Sequence, residues 1–167
     1  MPDMNTLRAF DSRTFRDCCG RFATGVTVIT TRTPEGDHGM TVSSFMSVSL
    51  DPPLISVCLN RQSRMLAKVR TSSRFAVNIL SSDMHAHALH FAGRQNEALT
   101  DLFSEYDGLP VLRNAAALMV ADVVQQVDAG DHVLLLGRVR HLDGDPATEP
   151  LLYLAGQFGS FAADPRL

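Results

Sequence analysis

The sequence predicts a mainly β fold, an antiparallel barrel with peripheral helices. Short strand-like runs are interrupted by only two or three helical stretches, without the regular strand–helix alternation of a parallel sheet. No Gly-x-Gly-x-x-Gly or P-loop follows any strand, which disfavours a dinucleotide-binding α/β site. The 167 residues are 45% apolar and 20% charged, enough to bury roughly 70% of the unfolded chain's surface as a single domain, residues 1–167.

In chain order, Ser12 is the expected cap of a short helix. Phe15, Cys18, Cys19 and Phe22 then fall at i, i+3, i+4 and i+7, one apolar stripe that stops at Thr24 and Gly25. Residues 26–31 are largely β-branched, and Pro34, Glu35, Gly36 and Asp37 supply a turn, predicting a hairpin. Residues 41–50 alternate like a strand yet carry five hydroxyls, Thr41, Ser43, Ser44, Ser47 and Ser49. Asp51-Pro52-Pro53 ends that run; residues 54–59 read as a buried strand and residues 60–63 as a bend into a helix near Met65–Val69.

Residues 75–80 form another strand, and residues 82–103 read as helical across a break at Gly93. Gly108-Leu109-Pro110 is punctuation. Residues 117–127 and 133–142 are long β-like runs joined at Ala129-Gly130-Asp131, and segments at 151–154 and 157–161 close the chain.

A net charge of −3 argues against nucleic acid, whose phosphates require a basic surface. The N-terminal residues 1–10 alternate polar and apolar, without the apolar run of a signal peptide or membrane span. Three cysteines, Cys18, Cys19 and Cys58, do not make a disulfide framework. A cytoplasmic protein with reduced thiols and no membrane association is expected.

The stretch from Gly39 to Ser49, followed by Asn60, Arg61, Gln62, Ser63 and Arg64, gathers hydroxyls, backbone N–H groups and an arginine at a helix start. Such donors suit a phosphate or the edge of a heteroaromatic ring; a serine-rich solvent face is the simpler alternative. His85, His87 and His90 invite a metal reading, but only His87 and His90 share a helix face and no carboxylate or thiol completes a ligand spacing. No metal is expected. Cys58 with His132 and Asp131 has the composition of a nucleophilic triad, yet Cys58 sits in an apolar strand where cysteine is usually a buried hydrophobe. Gly130-Asp131-His132 reads either as a tight corner projecting an imidazole towards a ligand or as a plain turn.

These segments together resemble the flavin reductase-like, FMN-binding split-barrel family, the small reductase components of two-component flavin monooxygenases. The resemblance runs in order through residues 20–31, 39–53, 75–80, 130–132 and 150–153. It implies a Greek-key-like split β-barrel and a homodimer with flavin near the subunit interface. It also implies NADH- or NADPH-dependent reduction of FMN or FAD for a separate oxygenase. By position, Gly39, Met40, Thr41, Ser43 and Ser44 match the segment lining the isoalloxazine and ribityl chain, with Ser47 beyond them. Cys58, Leu59, Asn60, Ser63 and Arg64 match the phosphate-side loop, and Phe91 and Ala92 the helix end covering the flavin. His132 and Tyr153 match positions nearest the nicotinamide, with His132 the candidate catalytic residue. The chain reads Asp101-Leu102-Phe103 where the family often has Asp-Lys-Phe, so Arg94 is the substitute cation near the pyridine nucleotide. Met65 replaces a small hydroxyl residue, and Phe158 a tyrosine. A flavin-binding electron-transfer or sensor protein that does not oxidise NAD(P)H is the alternative function.

Overall fold

The computed structural model describes residues 10–166; the N-terminal alternation read from the sequence lies outside them except for Phe10. Helix α1 (Ser12–Cys19) leads into β1 (Thr24–Gly25), β2 (Thr27–Thr33), β3 (Gly36–Val42), β4 (Met46–Leu50) and β5 (Pro53–Asn60). Helix α2 (Arg64–Ser72), β6 (Arg74–Ile79) and α3 (His85–Phe91) follow, then β7 (Phe103–Tyr106) and β8 (Leu109–Leu112). The long β9 (Ala117–Ala129) and β10 (His132–Gly144) precede β11 (Leu152–Leu154) and β12 (Gln157–Gly159).

Seven strands form one antiparallel sheet in the order β3-β2-β6-β9-β10-β5-β4. Laid flat, its outer strands would stand about 29 Å apart, six spacings of roughly 4.8 Å. Yet β3 and β4 are joined by residues 43–45 alone, a link that spans at most about 14 Å. The sheet must therefore roll until its two edges nearly meet, giving a barrel split between β3 and β4. This is the mainly β architecture expected from the sequence.

Inside the roll, Ile29, Val57, Leu59, Phe75, Val77, Val133 and Leu135 form the core, and α2 covers it with Met65, Leu66 and Val69. Each such side chain contributes roughly 1.5–3 kcal/mol by leaving water. Ser63 starts α2 by accepting from Leu66 N at 3.2 Å, and Ser73, at φ 59°, ends it. The Phe75 ring needs the bare Gly137 backbone, where a Cβ would fall 2.7 Å from Cζ of that ring. A second cluster, including Val28, Leu80, Met84, Ala88 and Leu151, seats α3 and the small β1-β11-β12 sheet. Buried Asn78 joins the layers, donating to Val28 O at 2.9 Å and accepting from Leu112 N at 2.8 Å, which satisfies polar groups that would otherwise be costly to bury.

Several sequence expectations are corrected. Asp11, not Ser12, caps α1, accepting from Thr14 N at 2.7 Å. The helix buries none of its residues, so its apolar stripe faces outward. The strand expected over residues 41–50 is broken at 43–45, where the chain passes between the barrel edges. The helix expected over residues 82–103 is only α3, and Phe103 opens β7. The turn expected at Gly108-Leu109-Pro110 is real only at its start, because Leu109–Leu112 is the returning strand of the β7–β8 hairpin. Among the described residues no helix is long and apolar enough to cross a membrane.

Candidate functional site

Alternation along β3 sends Met40 and Val42 towards the core and turns Gly39 and Thr41 to α3. Thr41 donates its hydroxyl to Ala88 O at 2.7 Å. At Gly39 an added Cβ would lie 2.6 Å from two Phe91 ring carbons, so the ring lies against bare backbone. The end of α3 thus rests on the strand and separates two clefts.

The first cleft, about 610 Å³, lies towards α2 and is lined by His38, Gly39, Met40, Arg64, Phe91 and Phe103, among others. Phe91 and Phe103 meet with ring centroids 5.7 Å apart. Its one carboxylate, Asp37, is already bound by Arg32 through contacts of 2.7 and 3.1 Å. Arg64 makes no side-chain hydrogen bond or ion pair among the described residues, so the cleft keeps an uncompensated positive charge. Burial, then Lys68 and Arg64, push the His38 pKa below the usual imidazole range and favour the neutral ring. An anion flanked by flat apolar surface is the ligand this arrangement fits.

The second cleft, about 640 Å³, lies on the other side of α3 and is lined by Thr41, Ser43, Ala92, Arg94, Tyr153 and Phe158, with His85. Its aromatic wall is continuous: Tyr153 and Phe158 stand 5.3 Å apart and His85 and Phe158 4.4 Å apart. Arg94 supplies its cation. A planar heteroaromatic ring carrying phosphate suits this surface.

The remaining sequence candidates cluster around the end of β5. His132 is the register partner of Asn60, and Leu134 of Cys58. Asp131 Oδ1 lies 2.8 Å from His132 Nδ1, and that contact lowers the Asp131 pKa. Ser44 donates to Cys58 O at 2.9 Å and accepts from Cys58 N at 3.0 Å, tying the inter-edge link to β5. Asn60 accepts from Gln62 N at 2.8 Å. Ser47 lies exposed in β4.

Some of these groups are less available than their residue types suggest. Leu59 is fully buried in the core, so only its backbone can face a ligand. The hydroxyls of Thr41, Ser44 and Ser63 hold α3, β5 and α2 in place, which explains part of the hydroxyl richness structurally. Burial, then the Asp131 charge, raise the Cys58 pKa, the opposite of nucleophile activation. His132 and Tyr153 lie on different sheets; Tyr153 lines the second cleft, whereas His132 lines neither.

His38 and Gln95 line the first cleft without having been singled out in the sequence. His38 enters through its hairpin pairing with Thr31, and no spacing motif signals it. His90 turns its Nδ1 to accept from Asn96 N at 3.0 Å, shaping the segment after α3. His87 Nδ1 is buried without a hydrogen-bond partner among the described residues.

The model for the flavin reductase-like domain matches residues 19–162. An NADH-dependent flavin reductase of a Rhodococcus species is 40% identical over 148 residues, 87% of this chain and 84% of that protein. The reductase subunit HsaB of a flavin-dependent monooxygenase from Mycobacterium tuberculosis is 33% identical over 156 residues, covering 89% and 81%. Among solved structures, flavin reductase PheA2 in its native state superposes with a TM-score of 0.87 and 44% identity, over 92% of this chain and 100% of that one.

Proposed function

The chain belongs to the flavin reductase-like domain family, and from that premise we propose that it is an NADH:flavin oxidoreductase serving a separate oxygenase. FMN or FAD accepts the hydride, and the reduced flavin passes to the partner monooxygenase. NADPH is the alternative hydride donor to NADH. The observation that carries this reading is the pair of clefts flanking α3, each with aromatic surface and a guanidinium, Arg64 or Arg94, that makes no side-chain hydrogen bond or ion pair among the described residues, inside the span matched to the family.

Flavin and pyridine nucleotide, when bound, would supply the hydride chemistry between them, so the chain needs no strong acid or base of its own. Its residues bind, orient and exclude water. Gly39 leaves Phe91 lying directly on β3 as the covering ring, beside Met40 and Ala92. Ser43 and Ser47, with the backbone of Thr41, offer hydrogen bonds along the flavin, beside the link between the barrel edges that Ser44 and the Cys58 backbone hold by bonding each other above buried Leu59, while Asn60, Ser63 and Arg64 serve its phosphate side. Arg94 and Tyr153 in the second cleft receive the pyridine nucleotide, and His132, which lies outside both clefts of its own chain, orients the nicotinamide across the subunit interface.

The molecule works as one domain in a homodimer, each site completed at the subunit interface. Support comes from the outer barrel edge, where Met46, Val48 and Leu50 are exposed, Leu50 by 96%; such an apolar strand edge invites association. Its three thiols are unpaired, in keeping with a reducing cytoplasm.

Anaerobic mixing with excess NADH and catalytic amounts of protein should bleach the 450 nm band of FMN, FAD or riboflavin. A band that persists would return the chain to the flavin-binding, electron-carrier reading.

A further inference from the structure

Arg61 belongs to the polar bend before α2, yet its guanidinium turns to the β9–β10 corner. Its Nε donates to Gly130 O at 2.7 Å, and its Nη2 lies 3.2 Å from Asp128 Oδ1. Its backbone N–H donates to Asp131 O at 3.0 Å. One residue thus fastens both sides of the corner whose next members are Asp131 and His132. Gly130 takes φ 62° there, a conformation that suits glycine and makes the corner tight. His132 leaves it as the register partner of Asn60, and its Nδ1 meets Asp131 at 2.8 Å. A carboxylate only accepts, so that contact selects the tautomer with the proton on Nδ1 and leaves Nε2 as an acceptor.

We infer that Arg61 and Asp131 are positioning residues: Arg61 locks the β9–β10 corner onto the β5–α2 loop, and Asp131 fixes the His132 tautomer and ring direction. This rests on the reading of His132 as the nicotinamide-orienting residue. It assigns Arg61 to the corner and not to the flavin phosphate, although it sits between Asn60 and Ser63. The planar fork explains the choice of arginine, since one guanidinium reaches a carbonyl and a carboxylate at once.

The test uses the full chain and the variants Arg61→Ala, Arg61→Lys, Asp131→Ala and His132→Ala. Removing the Arg61 side chain leaves its backbone bond to Asp131 intact, so the corner still pairs. Long-range 1H–15N NMR of the imidazole should show the Nδ1–H form in the parent protein, and a mixture in Arg61→Ala and Asp131→Ala. Anaerobic stopped-flow should show the limiting rate of flavin reduction falling about tenfold in Arg61→Ala, with partial recovery in Arg61→Lys. The ratio of FMN to riboflavin affinity should stay unchanged in Arg61→Ala. An unaltered His132 spectrum in Arg61→Ala and Asp131→Ala, or a loss confined to FMN affinity in Arg61→Ala, overturns the inference. If His132→Ala itself reduces flavin normally, the reading beneath it falls, while the spectra still decide whether Arg61 and Asp131 hold the ring.

Discussion

The ring of Phe91 lies so close to Gly39 that a Cβ there would stand 2.6 Å from two of its carbons. The last turn of α3 and the surface of β3 are therefore one fitted unit. Gly39→Ala cannot be absorbed without moving the ring, and overpacking of this kind commonly costs 1–3 kcal/mol. The expected outcome is a modest loss of thermal stability and a flavin dissociation constant raised about tenfold, read by fluorescence titration. Thr41→Val, which removes the bond to Ala88 O but leaves Gly39 bare, should affect flavin binding less.

Arg64 faces the first cleft without a side-chain partner among the described residues, so its charge is available to a ligand. A charge-assisted contact to phosphate exists for FMN and is absent for riboflavin. Arg64→Ala should weaken FMN by about tenfold and riboflavin much less. Equal losses for the two would remove Arg64 from the phosphate.

Much of the fold was legible because its signals are local. The β-branched run in β2, the turn at Pro34 and Glu35, and the long β-like runs of β9 and β10 on either side of Gly130 each imply their element without long-range information. The β7–β8 hairpin was not legible: Leu99, Leu102 and Phe103 mimic helical spacing, and Pro110 suggests a stop. In the fold the Pro110 carbonyl accepts from the buried Thr30 hydroxyl at 2.5 Å, a contact set by sequence separation and not by propensity. The same holds at the site. The hydroxyls of residues 41–49 were visible as a feature, but whether each faces a ligand or ties two elements depends on how β3, β5 and α3 meet.

Acidity should act first through His38. Burial, Lys68 and Arg64 hold its pKa below the unfolded value, so the folded state binds fewer protons and favours the neutral ring. The associated stability is present above the unfolded pKa of about 6.5 and is lost as pH falls through the lower folded value. His87, whose pKa burial also lowers, acts in the same direction. The melting temperature should fall from pH 7 towards 5, and His38→Gln should flatten part of that slope. An identical slope in the variant would show that the His38 environment does not oppose its charging.

Association should depend on the outer edge of the barrel. Met46 and Val48 in β4 are exposed by 56% and 43%, where unpaired strand groups and apolar side chains coincide. Sedimentation should give a species of twice the 18.2 kDa chain mass. The double variant Met46→Glu with Val48→Glu should shift it towards monomer and weaken flavin binding together. A monomer in the unaltered protein with flavin still bound would sink the dimer proposal.

His132 provides the sharpest test of how the reaction is divided between the nucleotides and the chain. It leaves a corner that Gly130 makes tight and lies beside Asn60 in register, so its backbone is fixed while its ring remains partly accessible. Hydride transfer asks no proton of the protein at the nicotinamide; the work left for an imidazole here is to hydrogen-bond and hold the ring in reach. Losing one such contact, about 1.4 kcal/mol, corresponds to roughly tenfold in rate. His132→Ala should therefore slow reduction of bound flavin across an NADH titration, lowering the limiting rate and raising the apparent NADH constant together. Flavin affinity, measured by a separate titration, should change little. Anaerobic stopped-flow separates the alternatives: unaltered reduction removes His132 from the site, whereas lost flavin binding with normal reduction at saturating flavin moves it from the nicotinamide to the flavin.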